Sequence, residues 1–244
     1  MTDEYLLPMT TATEERDRRA ELALLPVGSF EQHGDFLPLA TDTVIAVTVA
    51  NAVGAAYRSL LLPPVTISCS HEHAGWRGTV SISAATLYAV VTDIAQSLRR
   101  NGIEKLALIS GHGGNYVLGN VVQEASARGE HMALFPTELD WLNARAAGGV
   151  ELGPESDMHA GELETSLLLH AHPELVRPDY AEHDELADDR NRMLTRGLVA
   201  YTASGVVGRP SLASAAKGKA ALANLVESFA DVLTALDGPG SPSR

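Results

Sequence analysis

The chain has 244 residues, 45% hydrophobic and 20% charged, the balance of a folded globular protein and not of a disordered one. Its formal net charge of −13 argues against a nucleic acid or an anionic membrane as partner, since either needs clustered Lys and Arg. A lone cysteine, Cys69, excludes an internal disulfide, no apolar run approaches the ~18 residues of a membrane helix, and the polar, mixed-charge opening carries no leader, so a cytoplasmic location is expected.

In chain order, Leu22–Val27 is short, apolar and ended by Gly28-Ser29, the pattern of a buried strand. The stretch "FEQHGDFLPLATD" (30–42) follows, and then a Val- and Ala-rich helix over Thr43–Tyr57. Leu60–Ser68 reads as extended, with Pro63-Pro64 confining part of it to an edge. "TVSIS" (79–83) is strand-like, and Ala84–Arg100 is a helix capped by Ser83 and stopped by Gly102. Lys105–Ile109 is a second compact strand, leading through "SGHGGN" into a helix that runs to about Arg128, and His131–Phe135 is a third. Residues 143–157 read as a loop that could cover a site, Gly161–Ala171 as a helix, and 181–192 as a charged, solvated segment. A last helix spans about Leu212–Leu236, before a frayed "DGPGSPSR". Alternating strands and helices without a linker predict one α/β domain over residues 1–244, a three-layer α/β/α sandwich with a mostly parallel sheet. Ligands of such folds gather beyond the carboxyl ends of the strands, where the segments after Val27 and Ile109 both begin.

Those segments carry the chemistry. In extended backbone Glu31 and His33 face one side and Gln32 the other. Asp42 could cap the following helix or aim back at the same cavity. The glycines around His112 let it project into the crevice; the pattern lacks the third Gly of a dinucleotide loop, at Tyr116, and a Walker Lys. In "HAGELETS" (159–166), Glu162 and Glu164 lie about 200° apart on a helix, so they cannot serve one site. His159 and Glu162, three apart, can share a direction, which leaves Glu164 to a different neighbour. Glu31, His33, Asp42, His112 and Glu162 are two imidazoles and three carboxylates without a thiolate, a donor set for Zn²⁺, Mn²⁺ or Fe²⁺ and enough for two ions sharing a carboxylate. No G-x-S-x-G elbow is present, and Cys69 reads as a structural thiol. "SHEHAGWRGT" (70–79), with Glu72, His73 and Trp76, reads equally as a polar loop and as a substrate wall.

At these residues the chain resembles the creatininase family of metal hydrolases along nearly its whole length. The resemblance is carried by "LPVGSFEQHGDFLPLATD", "EHAGWRGTVS", "SGHGGN", "MHAGELETS" and "SGVVGRPSLASAAKG". It implies two divalent ions per chain, one held by Glu31, Asp42 and His112, the other by His33, Asp42 and Glu162, with Asp42 bridging. A hydroxide between the ions would attack an amide carbon of a small molecule, and His159 would move a proton to the leaving nitrogen. Glu164, Phe36, His73, Trp76 and Asn115 would line or support the site, and the family assembles as homo-oligomers, often hexamers. Two positions depart from the pattern. Gly114 stands where creatininase proper has a ligand Glu, with Glu162 the expected substitute, and Phe36 stands where a His is usual. Creatinine is therefore not the expected substrate. The expected reaction is hydrolysis of a non-peptide amide, cyclic amide or formamide; the alternatives are trimming of a small peptide precursor, as in mycofactocin maturation, and metal binding without turnover.

Overall fold

A computed structural model of the protein describes residues 7–238; the first six residues of the polar opening and the last six residues of the tail lie outside that range. A short helix α1 (Ala12–Arg18), begun by a Thr11–Glu14 capping box, leads into strand β1 (Leu22–Val27). Then follow helix α2 (Thr41–Ala56), strand β2 (Leu60–Leu61), helix α3 (Ala84–Arg100), strand β3 (Lys105–Ser110), helix α4 (Val117–Ala127) and strand β4 (His131–Phe135). Helices α5 (Glu138–Gly148), α6 (Glu162–Ala171), α7 (Met193–Arg196) and α8 (Ala215–Leu236) complete the described chain.

The sheet is all parallel, in the order β2-β1-β3-β4. Alternation along each strand splits the core in two. Leu22 and Leu24 of β1, Ala107 and Ile109 of β3 and Phe135 of β4 pack with α2, α5, α6 and α8. Ala23, Leu25 and Val27, Leu106 and Leu108, and Met132 pack on the other face against α3 and α4. This is the expected α/β sandwich with helices on both faces. The chain leaves β1 toward β2, then crosses back to β3 on β1's other side, so the strand order reverses between β1 and β3. Crevices open at the carboxyl edge at such a switch point, and "FEQHGDFLPLATD" and "SGHGGN" emerge there side by side.

Three local expectations are corrected. Residues 60–68 pair with β1 only at Leu60–Leu61 and through a single bridge from Val65 to Val27, because Pro63 and Pro64 bring no N–H to the ladder. "TVSIS" is no strand; its Val80 and Ile82 amides donate to Phe30 O and Ser68 O, both at 2.9 Å, which straps it across the edge of the site. The first part of 143–157 belongs to α5, started by a Thr137–Asp140 capping box and ended by Gly149 at φ 66°. Only Ala144 of α5 is buried, so apolar periodicity had nothing to read there. The acidic segment 181–192 is also less free than expected. Glu185 accepts from the Ala203 and Ser204 amides, and Asp184 from the Ser211 amide, pinning it to the C-terminal signature.

Candidate metal centre

Each site residue is delivered by the end of a regular element. β1 runs into Glu31 and His33, which are fully buried. Asp42 is the second residue of α2 and not its cap, since the N-cap is Ala40 and no side chain caps the helix. Its Oδ1 lies 3.1 Å from His33 Nε2, and its Oδ2 lies 3.1 Å from His112 Nδ1 while accepting from Ser29 Oγ at 2.5 Å. His112, from the loop after β3, brings Nε2 within 3.2 Å of Glu31 Oε2. His159 precedes α6 and is held in place by the C-terminal signature, through an antiparallel backbone bridge to Val207. Its ring lies 4.1 Å from that of His33, centroid to centroid.

Glu162 and Glu164 point in the opposite directions to those expected of them. The helical wheel correctly sets them on opposite sides of α6, but it cannot be continued back to His159. Ala160 has φ +52° and Gly161 is extended, so the chain turns before the helix begins. Glu162 points away from the cluster, accepting from Lys217 Nζ at 2.5 Å and from the Glu151 amide at 3.0 Å. Glu164 points in, with Oε2 4.0 Å from His33 Nε2 and accepting from the Ala160 amide at 2.6 Å. Glu162→Gln is therefore expected to keep full metal loading and cost about 1–3 kcal/mol of stability through Lys217. Glu164→Gln should instead lose metal beside His33. Metal analysis with denaturant unfolding of both variants checks this, and loss of metal from Glu162→Gln alone would reverse the assignment.

Among the described residues, three sets of donors could each hold an ion, their atoms within 4.8 Å of one another: Glu31, Asp42 and His112; His33, His159 and Glu164; Glu31, His73 and His159. The fit to a cation rests on Glu31. Both its oxygens are buried without an aligned hydrogen-bond donor, an arrangement costly for a bare carboxylate and natural for a metal ligand. Outer contacts orient the imidazoles: His33 Nδ1 meets Glu31 O at 3.1 Å and His112 Nε2 meets Cys69 O at 2.9 Å, which turns the opposite nitrogens toward Asp42.

Without metal the cluster holds protons in its place. Burial, then the charge of Asp42, pushes Glu31 up to about 8. Burial pulls the two histidines down, but Asp42 outweighs it and lifts His33 to about 9, and Glu31 with Asp42 lifts His112 to about 10. Burial also raises Asp42, yet the two imidazoliums hold it well below the usual carboxylate range. Burial raises Glu164 to about 7, lowers His73 to about 3 and holds His159 well below an ordinary histidine. At neutral pH a divalent ion must therefore displace protons from Glu31, His33 and His112. Its apparent affinity should rise by roughly tenfold or more per unit between about pH 6 and 8, with protons released. Zn²⁺ titration calorimetry in buffers of different ionisation enthalpy measures that release, and a pH-independent affinity would contradict it.

The remaining expected residues divide. Asn115 is a clip between segments, donating to Gly28 O and accepting from the Cys69 amide, each at 3.2 Å. Phe36 is a fully buried core residue stacked on His183. Trp76 lies beside His73, ring centroids 6.2 Å apart. Gly114 leaves no room for a side chain, since a Cβ there would lie 2.0 Å from Glu72 Oε1 and 2.4 Å from His112 Nε2. Glu72 thus fills the space above Gly114 and reaches His112 Nε2 at 3.5 Å. A cavity of about 490 Å³ opens over His112, His159 and Glu164, walled by Trp141 and Leu142 of α5, Tyr116, Leu134 and Leu167. Sequence reasoning missed Gln32, Trp141 and Lys217. Gln32 was set aside by strand alternation, although a buried amide between two site residues was itself a signal.

Fold and site together define a doubly wound α/β protein with a buried carboxylate–imidazole cluster of the divalent-metal type at its switch point. The family model described as "Creatininase: Creatinine amidohydrolase" matches residues 9–233, and the chain belongs to the creatininase family of hydrolases. It is 34% identical over 232 residues to the "Mycofactocin precursor peptide peptidase" of Mycolicibacterium smegmatis, covering 91% of this chain and 88% of that one. To the "Creatinine amidohydrolase" of Pseudomonas putida it is 27% identical over 228 residues, covering 86% and 87%. The solved structure described as "Creatininase Mn" is similar with a TM-score of 0.78 and 25% identity, over 95% of this chain and 98% of that one.

Proposed function

We propose that the protein is a divalent-metal-dependent amidohydrolase that cleaves a C–N bond of a small amide, cyclic amide or formamide. The observation that carries this reading is the unsatisfied, fully buried Glu31 carboxylate at the meeting point of the donor sets, under an open cavity. Glu31, Asp42 and His112 would hold one ion, and His33, Asp42 and Glu164 the other. Divalent metal bound there supplies Lewis-acid polarisation and an acidified water. The chain does the rest. His159 spends Nε2–H on Gln32 O at 2.6 Å, so its bare Nδ1 takes up the water's proton and returns it to the leaving nitrogen. Leu134, Trp141, Leu142 and Leu167 hold the apolar part of the substrate and keep bulk water out. Homo-oligomeric assembly belongs to the same reading, supported by the exposed Tyr116, Leu139 and Leu142 near the cavity mouth, and sedimentation tests it.

A second reading, trimming of a short peptide, is supported by the 34% identical peptidase and by a second cavity of about 570 Å³ that meets the first at Tyr116. Protein reconstituted with Zn²⁺, Mn²⁺ or Fe²⁺ should be assayed against formamides, lactams and short peptides, with products identified by mass. Turnover of small amides is expected. Cleavage of peptides alone selects the second reading, and fewer than two ions per folded chain overturns the binuclear centre.

A further inference from the structure

Gln32 controls two facing imidazoles in opposite senses. Its backbone carbonyl can only accept, so the 2.6 Å contact places a hydrogen on His159 Nε2 and leaves Nδ1 bare toward Glu31 Oε1, 3.7 Å away. The side chain acts the other way. The Gly34 amide donates to Gln32 Oε1 at 2.9 Å and Gln32 Nε2 donates to Gly205 O at 3.0 Å, which together decide which end of the amide is oxygen and which is nitrogen. The second hydrogen of Gln32 Nε2 then faces His73 Nδ1 at 2.9 Å. That nitrogen must accept, so the one proton of a neutral His73 ring lies on Nε2, 3.2 Å from Glu31 Oε1.

His33, His112 and His159 thus each meet a backbone carbonyl with one nitrogen and offer the other to the cluster. His73 instead meets a donor, Gln32 Nε2, with its outer nitrogen and turns its N–H toward Glu31 Oε1, as the carbonyl-bonded Nε2 of His112 does toward Oε2 at 3.2 Å. The contact lies off the axis of a full hydrogen bond, so it steadies Glu31 and leaves the carboxylate for a cation to complete.

We propose that His73 is a positioning residue and not a metal ligand, although it is close enough to Glu31 and His159 to share an ion with them. It ends a relay from the Gly34 amide through Gln32 to Glu31, holding Oε1 so that Oε2 is left to the ion beside His112. The proposal rests on the metal-centre reading above and deepens it by deciding which imidazoles coordinate.

Two measurements test it. Long-range ¹H–¹⁵N spectra of histidine-labelled protein, metal-free and Zn²⁺-loaded, should show His73 protonated on Nε2 with a bare Nδ1 in both states. Zn²⁺ titration should show His73→Ala keeping the wild-type number of ions with affinity about 10–100-fold weaker, and His73→Gln, whose amide N–H can reach the Nε2 position, recovering most of that loss. A protonated Nδ1, or loss of one ion in both variants, would overturn the proposal. If His73→Ala does not fold, the wild-type spectrum and His73→Gln decide. A wild-type protein that binds no Zn²⁺ would refute the metal centre, while the metal-free spectrum would still report the relay.

Discussion

Asp42→Asn is expected to abolish retention of both ions and to reduce hydrolysis on the order of 10³-fold, about 4 kcal/mol of transition-state stabilisation. In the proposed centre the residue stands between two histidines: Oδ1 faces His33 and Oδ2 faces His112, each at 3.1 Å, and an amide preserves the shape while removing the anion both sides require. The metal-free protein should change as well. In the wild type Asp42 is a main cause that lifts His33 to about 9 and His112 to about 10. Groups raised above their unfolded value of about 6.5 stabilise fully below that value and lose the contribution as pH rises through their folded pKa. Wild-type unfolding free energy should therefore fall between about pH 6.5 and 10, whereas the Asn variant should be less stable near neutrality, by about 3–5 kcal/mol, and flatter over that window. Urea unfolding of chelator-treated protein across this range, beside metal analysis, checks both. Two ions retained by Asp42→Asn would remove it from the bridging position.

Gly111→Ala should have an effect of similar size without touching a donor atom. A Cβ at Gly111 would lie 2.2 Å from the carbonyl oxygen of Asp42 and 3.0 Å from the Ala46 amide, both backbone atoms that no rotamer change can move aside. The end of β3 and the first turn of α2 must touch for His112 to meet Asp42, so the methyl would push the two halves of the site apart. The cost is at least about 1–3 kcal/mol of overpacking, with Zn²⁺ affinity expected to fall by two orders of magnitude or more. Denaturant unfolding and a competitive chelator titration measure these separately. Near-wild-type values for both would show that the site does not depend on this close approach.

Much of this molecule is legible in its sequence. β1, α3 and β4 begin and end where apolar period, the Ser83 cap and the Gly102 stop place them, because those signals are local and act within one element. The gathering of ionisable residues at the carboxyl edge follows from the same strand ends. Legibility fails where an element is held by something other than its apolar stripe. Helix α5 is announced by a polar capping box and shows the core almost nothing, and "TVSIS" has strand residues but docks on the Phe30 and Ser68 carbonyls instead of joining the sheet.

By itself the sequence determined the parallel α/β sandwich and the kind of donors collected at its switch point, carboxylates and imidazoles without thiolate. Only the tertiary structure decided which of them meet. It turned Glu164 and not Glu162 toward His33, because the chain turns at Ala160 before α6 starts and a helical wheel does not extend through a left-handed residue. It put Glu72 over Gly114 and turned Gln32 onto His73. The physical reason is common to all three: periodicity relates residues within one element, while a metal site is assembled from the ends of several, and the packing between them sets every angle and proton in it.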